Sequence, residues 1–363
     1  MPSEQKQLPT IAETLEHPAY PGTVWGLEPH RKGRLAVGEG RGGPFDIAWE
    51  VHGDGPIKII FIMGLAGLKT AWQRQTKHFG HDQSSYSVLI LDNRGMGESS
   101  LPMMRYTTSS MALDCIEVLS HLDWIPTDWT SSPPASRSVH LVGISLGGMI
   151  AQEIAYRIPA YLSSLTLLCT AASVENTKGW LEFIRDRAGM VIPKSMEQSI
   201  EDTARKLFPE SWLHAPDDTP LPSPTSTPRC APAPGGGEYV RFDNNFQRFQ
   251  AQELTKKLDP VLFSTPGFLL QLGAAALHHK SAAQLAELGD GIGRERVMVM
   301  HGTADKMIDP VLGERLVQGL RPGRAEIVPG MGHAPLMEMP VWLNSVLEEH
   351  VTTCERMERG SVV

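Results

Sequence analysis

The stretch His140-Leu-Val-Gly143-Ile-Ser145-Leu-Gly147-Gly-Met149 decides the fold. It begins as an apolar run typical of a strand, and the residues that follow it are compatible with a helix. The Gly-x-Ser-x-Gly pattern between them predicts a sharp turn that holds Ser145 in a strained backbone conformation with its hydroxyl exposed. Gly143 and Gly147 fit this turn because strand and helix approach too closely there for a β-carbon. Ser145 is therefore a candidate nucleophile, and the Leu146 N–H at the helix start is a candidate oxyanion donor.

Apolar runs of strand type alternate with helix-compatible stretches along most of the chain. Strands are predicted at 34–38, 45–52, 58–63, 86–91, 138–142, 162–168, 296–301 and 325–328. Helices of the same region are predicted at 70–79, 107–122, 310–320 and 335–351. This alternation indicates an α/β fold with a mostly parallel, eight-stranded sheet that is flanked by helices.

The alternation divides the chain into segments. Residues 1–31 form a polar N-terminal extension, and 32–170 together with 291–351 form the α/β core. Residues 171–290 contain no strong strand but have helical patterns near 179–187, 196–207, 244–258, 267–278 and 282–288, which indicates an inserted helical cap. Inside it, the Pro-, Ser- and Gly-rich stretch 215–237 is expected to be a flexible, exposed loop. Residues 352–363 are expected to form a polar tail in which Cys354 is exposed.

Composition excludes several classes of protein. The 363 residues carry a net charge of −8, and no dense block of Lys or Arg points to nucleic acid as a partner. No apolar run is long enough to span a bilayer, and the first residues lack the apolar core of a secretory signal. The four cysteines are scattered, and His278-His279 lacks a third ligand at metal-like spacing, so we expect reduced thiols, no metal site and a cytoplasmic location.

Ser145 needs a histidine base that is held by a carboxylate. Asp305 follows the strand predicted at 296–301, and His333 lies in a Gly-x-Gly-His turn after the next strand. In this topology the chain order is Ser, acid, His, and all three side chains reach one edge of the sheet. Asp309 competes with Asp305 for the acid role, but it precedes Pro310 and is better explained as a helix N-cap.

The chain resembles the α/β-hydrolase fold superfamily of serine esterases and lipases, in the group with a helical cap. The motifs that carry the resemblance are GISLGG, FIMGLAG, DNRGMGES, HGTADKMIDP and GMGHAP, in this order. The resemblance implies a catalytic triad of Ser145, Asp305 and His333, with the N–H groups of Leu65 and Leu146 holding the oxyanion, and it implies no cofactor. The motif FIMGLAG corresponds to the oxyanion loop of the family. The sequence departs from the family at Met63 of this loop, where a histidine is common, so another contact must order the loop.

The main hypothesis is a serine hydrolase that cleaves a carboxylic ester of a hydrophobic small molecule through an acyl-enzyme. The same triad would also serve a thioesterase, a carbon-carbon hydrolase or an acyltransferase. A third hypothesis is a small-molecule binder on the same fold without catalysis. Arg94 is expected to brace loops near the site. Aromatic and apolar cap residues either line a substrate pocket or form the core of the cap: Trp180, Phe183, Met190, Phe246, Phe249, Phe268 and Leu269.

Overall fold

The computed structural model describes residues 8–131, 134, 136–175, 177 and 194–360. Eight strands form one sheet: β1 (Arg31–Val37), β2 (Phe45–His52), β3 (Ile57–Ile62), β4 (Tyr86–Leu91), β5 (Val139–Ile144), β6 (Leu162–Leu168), β7 (Val297–Gly302) and β8 (Arg324–Val328). Their order in the sheet is β1-β2-β4-β3-β5-β6-β7-β8. Strand β2 is antiparallel to both of its neighbours, and all other neighbouring pairs are parallel. The predicted eight-stranded, mostly parallel sheet is therefore confirmed.

The central strands are buried because both faces of the sheet are covered. Every residue of β4, β5, β6 and β7 is buried. Their side chains divide between two large apolar clusters; Leu141 belongs to one cluster and its neighbour Val142 to the other. Successive side chains of a strand point to opposite faces of the sheet, and here both faces meet an apolar layer. Each of these strands is therefore a continuous apolar run in the sequence.

Helices on both faces complete the core. They are α2 (Gln73–Gly80), α3 (Thr108–His121), α4 (Leu146–Arg157), α10 (Pro310–Leu320), α11 (Pro335–Glu338) and α12 (Pro340–Gly360), and α1 (Ile11–Glu16) precedes the sheet. Among the described residues, no helix combines the length and the apolar character that a membrane crossing requires.

Between β6 and β7 the described chain is helical. The helices are α5 (Met196–Leu207), α6 (Glu210–His214), α7 (Asn245–Lys257), α8 (Thr265–Ala276) and α9 (Ala282–Ile292). Four of the five cap helices predicted from the sequence correspond to α5, α7, α8 and α9. The fifth, predicted near 179–187, lies outside the described residues.

Most of the Pro-rich stretch 215–237 is exposed, but the part around Cys230 packs on the N-terminal extension. Cys230 forms an isolated antiparallel bridge with Leu27. The Ala231 N–H donates to the Gly26 carbonyl over 2.8 Å. The Tyr239 hydroxyl in turn accepts from the Gly26 N–H, also over 2.8 Å. Composition did not reveal this packing because the pairing partners lie in a distant part of the chain.

The chain after residue 351 is not a polar tail, since α12 continues to Gly360. Cys354, expected to be exposed, is fully buried. Glu355 accepts from the ring of His140 over 3.0 Å, and Glu358 pairs with Arg296 over 2.8 Å. These charged residues made the segment look like a tail, but their partners lie on the end of the sheet.

Candidate active site

Ser145 occupies the turn between β5 and α4 in an uncommon backbone conformation, with φ 55° and ψ −122°. Its N–H donates to the Leu168 carbonyl at the end of β6 over 3.0 Å. A β-carbon on Gly147 would lie 2.1 Å from the Ile62 carbonyl oxygen, so only glycine fits there. Close packing of β3 against the start of α4 thus holds a non-glycine residue at positive φ, a strain typical of functional sites.

Asp305 and His333 follow the ends of β7 and β8, so adjacent parallel strands bring them together. Nδ1 of His333 lies 2.6 Å from Oδ2 of Asp305, and both residues are buried. The other carboxylate oxygen of Asp305 accepts the N–H groups of Met307 and Ile308 over 2.8 and 2.9 Å. The carboxylate is therefore fixed from two sides before it meets the imidazole.

The electrostatics of this pair keep Asp305 ionised. Burial disfavours its charge, but the charge of His333 and the hydrogen bonds from His301 and His333 outweigh burial, and the pKa of Asp305 lies well below its usual range. A carboxylate only accepts, so Nδ1 of His333 carries the proton that it donates. Nε2 of His333 is then the basic nitrogen, as a general base requires.

Two residues of the site were not identified from the sequence. His301, at the end of β7, is fully buried, and its Nε2 lies 3.2 Å from Oδ2 of Asp305. Glu338 on α11 accepts the N–H of Gly332, the residue before His333, over 2.8 Å. Burial, together with the charge of Asp305, raises the pKa of Glu338 to about 7. Only their spacing in the sequence could have pointed to these two residues. His301 lies four residues before Asp305, and Glu338 lies five residues after His333.

The loop after β3 lies against the turn that holds Ser145. A β-carbon on Gly64 would lie 3.0 Å from Cβ of Ser145. In the described part of the chain, neither the Leu65 N–H nor the Leu146 N–H donates to any backbone or side-chain acceptor. Two free donors beside a serine, one of them at a helix N-terminus, form an arrangement that can bind a developing oxyanion.

This loop is held by the cap. Ala66 has φ 57°, and its N–H donates to Oε1 of Gln271 on α8 over 3.0 Å. Its carbonyl accepts from Nζ of Lys256 on α7 over 3.1 Å. On the core side, the Asn93 amide donates to the Met63 carbonyl over 2.9 Å. These contacts order the loop in which Met63 replaces the histidine common in the family.

The remaining predictions near the site concern Arg94 and Asp309. The Arg94 guanidinium pairs with both carboxylate oxygens of Asp114 on α3 at 2.6 Å, and the Arg94 carbonyl accepts from Gln271 over 2.9 Å. The Arg94 side chain therefore braces the loop after β4 against α3, and its carbonyl links the same loop to the cap. Asp309 caps α10 by accepting the Val311 N–H over 3.0 Å, which leaves Asp305 as the residue paired with His333.

Cys169 lies next to Asp305 and His333. Its thiol, Asp305 and His333 offer ligand atoms that all lie within 4.8 Å of one another. Burial and the charge of Asp305 raise the pKa of the Cys169 thiol well above its ordinary value, so it stays protonated and is a weak metal ligand. The thiol contacts the Gly332 carbonyl over 3.8 Å, and this contact favours a packing role under the histidine loop.

The apolar cap residues have different positions. Phe246 and Phe249 are buried in the core of the cap, where they pack with Phe208 and with Met337 of α11. Leu269 is 56% exposed. Phe268 lies beside Phe263, with the ring centroids 6.4 Å apart. Trp180, Phe183 and Met190 lie outside the described residues. The two buried phenylalanines therefore belong to the cap core rather than to a pocket lining.

The sequence model of the alpha/beta hydrolase family matches residues 51–346. The chain belongs to this family. The alpha/beta hydrolase is 27% identical over 162 residues to a 3-oxoadipate enol-lactonase of Acinetobacter baylyi, a match to 45% of this chain and 52% of the lactonase. It is 27% identical over 253 residues to a monoacylglycerol lipase of Xenopus laevis, covering 70% of this chain and 66% of the lipase. These matches span about half to two thirds of the relatives' lengths.

Solved structures share the fold of this hydrolase. A thermophilic esterase from Thermogutta terrifontis superposes with a TM-score of 0.62 at 19% identity, over 89% of this chain and 99% of the esterase. At this identity the likeness establishes the fold alone. Together with the family match, it confirms the α/β-hydrolase architecture that the five sequence motifs implied.

Proposed function

We propose that this alpha/beta hydrolase is a serine hydrolase that cleaves a carboxylic ester of a hydrophobic small molecule. Ser145 is the nucleophile, His333 is the general base and acid, and Asp305 orients His333 and stabilises its protonated form. The N–H groups of Leu65 and Leu146 bind the oxyanion. No cofactor takes part in this mechanism.

The proposed reaction has two halves. Nε2 of His333 takes the hydroxyl proton of Ser145 as Oγ attacks the ester carbonyl, and the carbonyl oxygen becomes the oxyanion. His333 then gives its proton to the leaving alkoxide, which departs as an alcohol and leaves an acyl-Ser145. A water molecule, deprotonated by His333, attacks the acyl group, and the carboxylic acid leaves as Ser145 regains its proton.

The strained conformation of Ser145 is the observation that carries the proposal. A non-glycine residue at φ 55° costs about 1 to 3 kcal/mol and persists only where the surroundings enforce it. Three observations support the role of Ser145 as nucleophile: Gly64 of the loop lies against it, the Leu146 N–H that follows it has no acceptor among the described residues, and the strand ends nearby carry the His333–Asp305 pair. Arg321 at the end of α10 also has a positive φ, but its ψ of 58° is the ordinary left-handed helical conformation, whereas Ser145 has ψ −122°.

The choice of an ester is supported by the names of relatives. The lactonase and the lipase both carry names of enzymes that open carbon–oxygen bonds of esters, and the esterase has the same fold. The four cysteines are all free thiols, which supports a reducing compartment, so we include a cytoplasmic location in the proposal.

Labelling with a fluorophosphonate probe tests the nucleophile. The wild-type protein should be labelled once and Ser145→Ala should not be labelled, with turnover reduced by on the order of a thousandfold or more. Ser345→Ala, a change at an exposed serine of α12, is the matched control and should react like wild type. Labelling that survives in Ser145→Ala would contradict the assignment.

A substrate panel tests the bond. Esters, thioesters and β-diketones of graded size, assayed with wild type and Ser145→Ala, should give the highest kcat/KM for apolar esters. If the enzyme prefers a thioester or a β-diketone, that bond and not the ester bond is the one it cleaves. A protein that resists the probe but is thermally stabilised by such ligands would be a binder, and the hydrolase proposal would fail.

A further inference from the structure

Arg74 is a buried cation without a hydrogen-bond partner. It lies in the first turn of α2 and is 4% exposed. In the part of the chain that the structure describes, its Nε, Nη1 and Nη2 atoms are all buried and donate to no acceptor. A buried guanidinium normally satisfies its donors, because leaving a buried charge unpaired costs several kcal/mol. Arg74 therefore requires an explanation.

The surroundings of Arg74 are rich in unused donors. Its guanidinium carbon lies 5.9 Å from the ring centroid of Trp25, whose indole Nε1 is also buried and unpaired within the described chain. Arg248 on α7 lies near enough for its charge to act on Arg74, and its Nε likewise has no partner there. The unsatisfied atoms on these three side chains are all N–H donors. A missing acceptor fits this set, whereas a missing cation does not.

The charges do not balance either. Arg248 forms a buried ion pair with Asp217, in the Pro-rich stretch, through its Nη2. Burial opposes ionisation of Asp217, but the hydrogen bond and charge of Arg248 lower its pKa below the ordinary value. Burial lowers the pKa of Arg74 to about 9, so Arg74 is still charged at neutral pH. Among the described residues, the two guanidinium groups therefore have one carboxylate between them, and one positive charge remains unbalanced.

We propose that Arg74 of α2, Arg248 of the cap helix α7 and Trp25 form a binding site for a free small carboxylate. A planar carboxylate matches the guanidinium fork, since two parallel N–H groups can donate to its two oxygens. A monoanion neutralises the one excess charge, whereas a phosphate dianion would leave a negative charge in a buried place. The site uses none of Ser145, Asp305 or His333, and it stands independently of the proposed esterase activity.

Titration calorimetry on the full chain tests the site. At least one of sodium formate, acetate and propionate, at constant ionic strength set with sodium chloride, should show saturable binding of one ion per chain. Arg74→Met keeps an unbranched apolar stem and removes the guanidinium group with its charge, and it should bind at least tenfold more weakly. Arg34→Met, at an exposed arginine of β1, is the control and should bind like wild type.

A second variant keeps the test decisive if Arg74→Met is shown by near-ultraviolet circular dichroism to be misfolded. Trp25→Phe removes the five-membered ring with its N–H but keeps an aromatic ring, and it should weaken carboxylate binding several-fold. Absence of saturable binding to wild type would overturn the proposal, as would wild-type affinity in both variants. Tighter binding of phosphate or chloride than of any carboxylate would overturn the assigned ligand class.

Discussion

Nε2 of His301 lies 3.2 Å from Oδ2 of Asp305, the oxygen that also contacts His333. The same Nε2 lies 3.0 Å from the Ile308 carbonyl, which only accepts, so His301 carries its proton there and donates toward both oxygens. The acid of the proposed triad thus receives hydrogen bonds from two imidazoles, and His301 is a positioning residue for the reaction.

His301→Leu should lower kcat by roughly three- to thirtyfold, from the loss of part of one charged hydrogen bond of about 1.5 to 3 kcal/mol. KM should change little, because the loss concerns the orientation of Asp305 and His333 and not a contact with substrate. His301→Gln, which retains an N–H donor, should recover part of the loss in kcat. Wild-type kcat in His301→Leu would refute the role of His301.

Glu338 predicts a pH dependence of stability. Its pKa is raised from 4.5 to about 7 in the folded protein, so between these values the folded state binds more protons than the unfolded state. Stability should therefore fall as pH rises from about 4.5 to 7, and this cost should be fully present above 7. Glu338→Gln, whose carbonyl can still accept the Gly332 N–H, should flatten that slope in urea unfolding series.

The exposed Glu314 of α10 provides the control for this measurement. Glu314→Gln should retain the wild-type slope over the same pH range. If Glu338→Gln also leaves the slope of stability against pH unchanged, the pKa of Glu338 is not raised in the folded protein.

Gln271 predicts a link between the cap and the oxyanion loop. Replacement by Met leaves the buried Ala66 N–H and Arg94 carbonyl without partners, at a cost of about 1 to 3 kcal/mol for each group. We expect a lower Tm and a kcat that falls more than KM rises, because the loop that carries the Leu65 donor loosens. Leu269→Ala on the same helix changes an exposed side chain and should alter neither quantity by much.

Two glycine-to-alanine changes in helices should have opposite signs. Gly147→Ala places a β-carbon 2.1 Å from a carbonyl oxygen of β3, and it should destabilise the protein by about 3 kcal/mol or abolish folding. Gly273→Ala in α8 meets no atom within 4 Å and should stabilise the helix by about 0.5 to 1 kcal/mol. Chemical denaturation measures both, and a neutral Gly147→Ala would refute the close packing at the turn.

The sheet was predictable because its central strands are buried on both faces, and such strands leave continuous apolar runs between turn residues. The Ser145 turn and the order of Asp305 and His333 were predictable because the chemistry requires particular residue types at particular strand ends. These patterns are local, so one sequence suffices to detect them.

Contacts between distant parts of the chain were not predictable in this way. Nothing near Gln271 indicates that it contacts Ala66, and nothing near Arg74 indicates Arg248. The segment after residue 351 was misinterpreted for the same reason, since Glu355 and Glu358 look like solvated charges until their partners His140 and Arg296 are known. Polar side chains that form hydrogen bonds with groups far away in the sequence leave no periodic pattern from which these contacts could be predicted.

The two cap contacts at Ala66 have a consequence for engineering. Lys256 and Gln271 hold that residue from two different cap helices. A chimera that receives the cap of another family member would lose both contacts unless the graft supplies equivalents. A chimera designed to change the substrate specificity of this chain should therefore retain Lys256 and Gln271 and exchange only the cap segments around them.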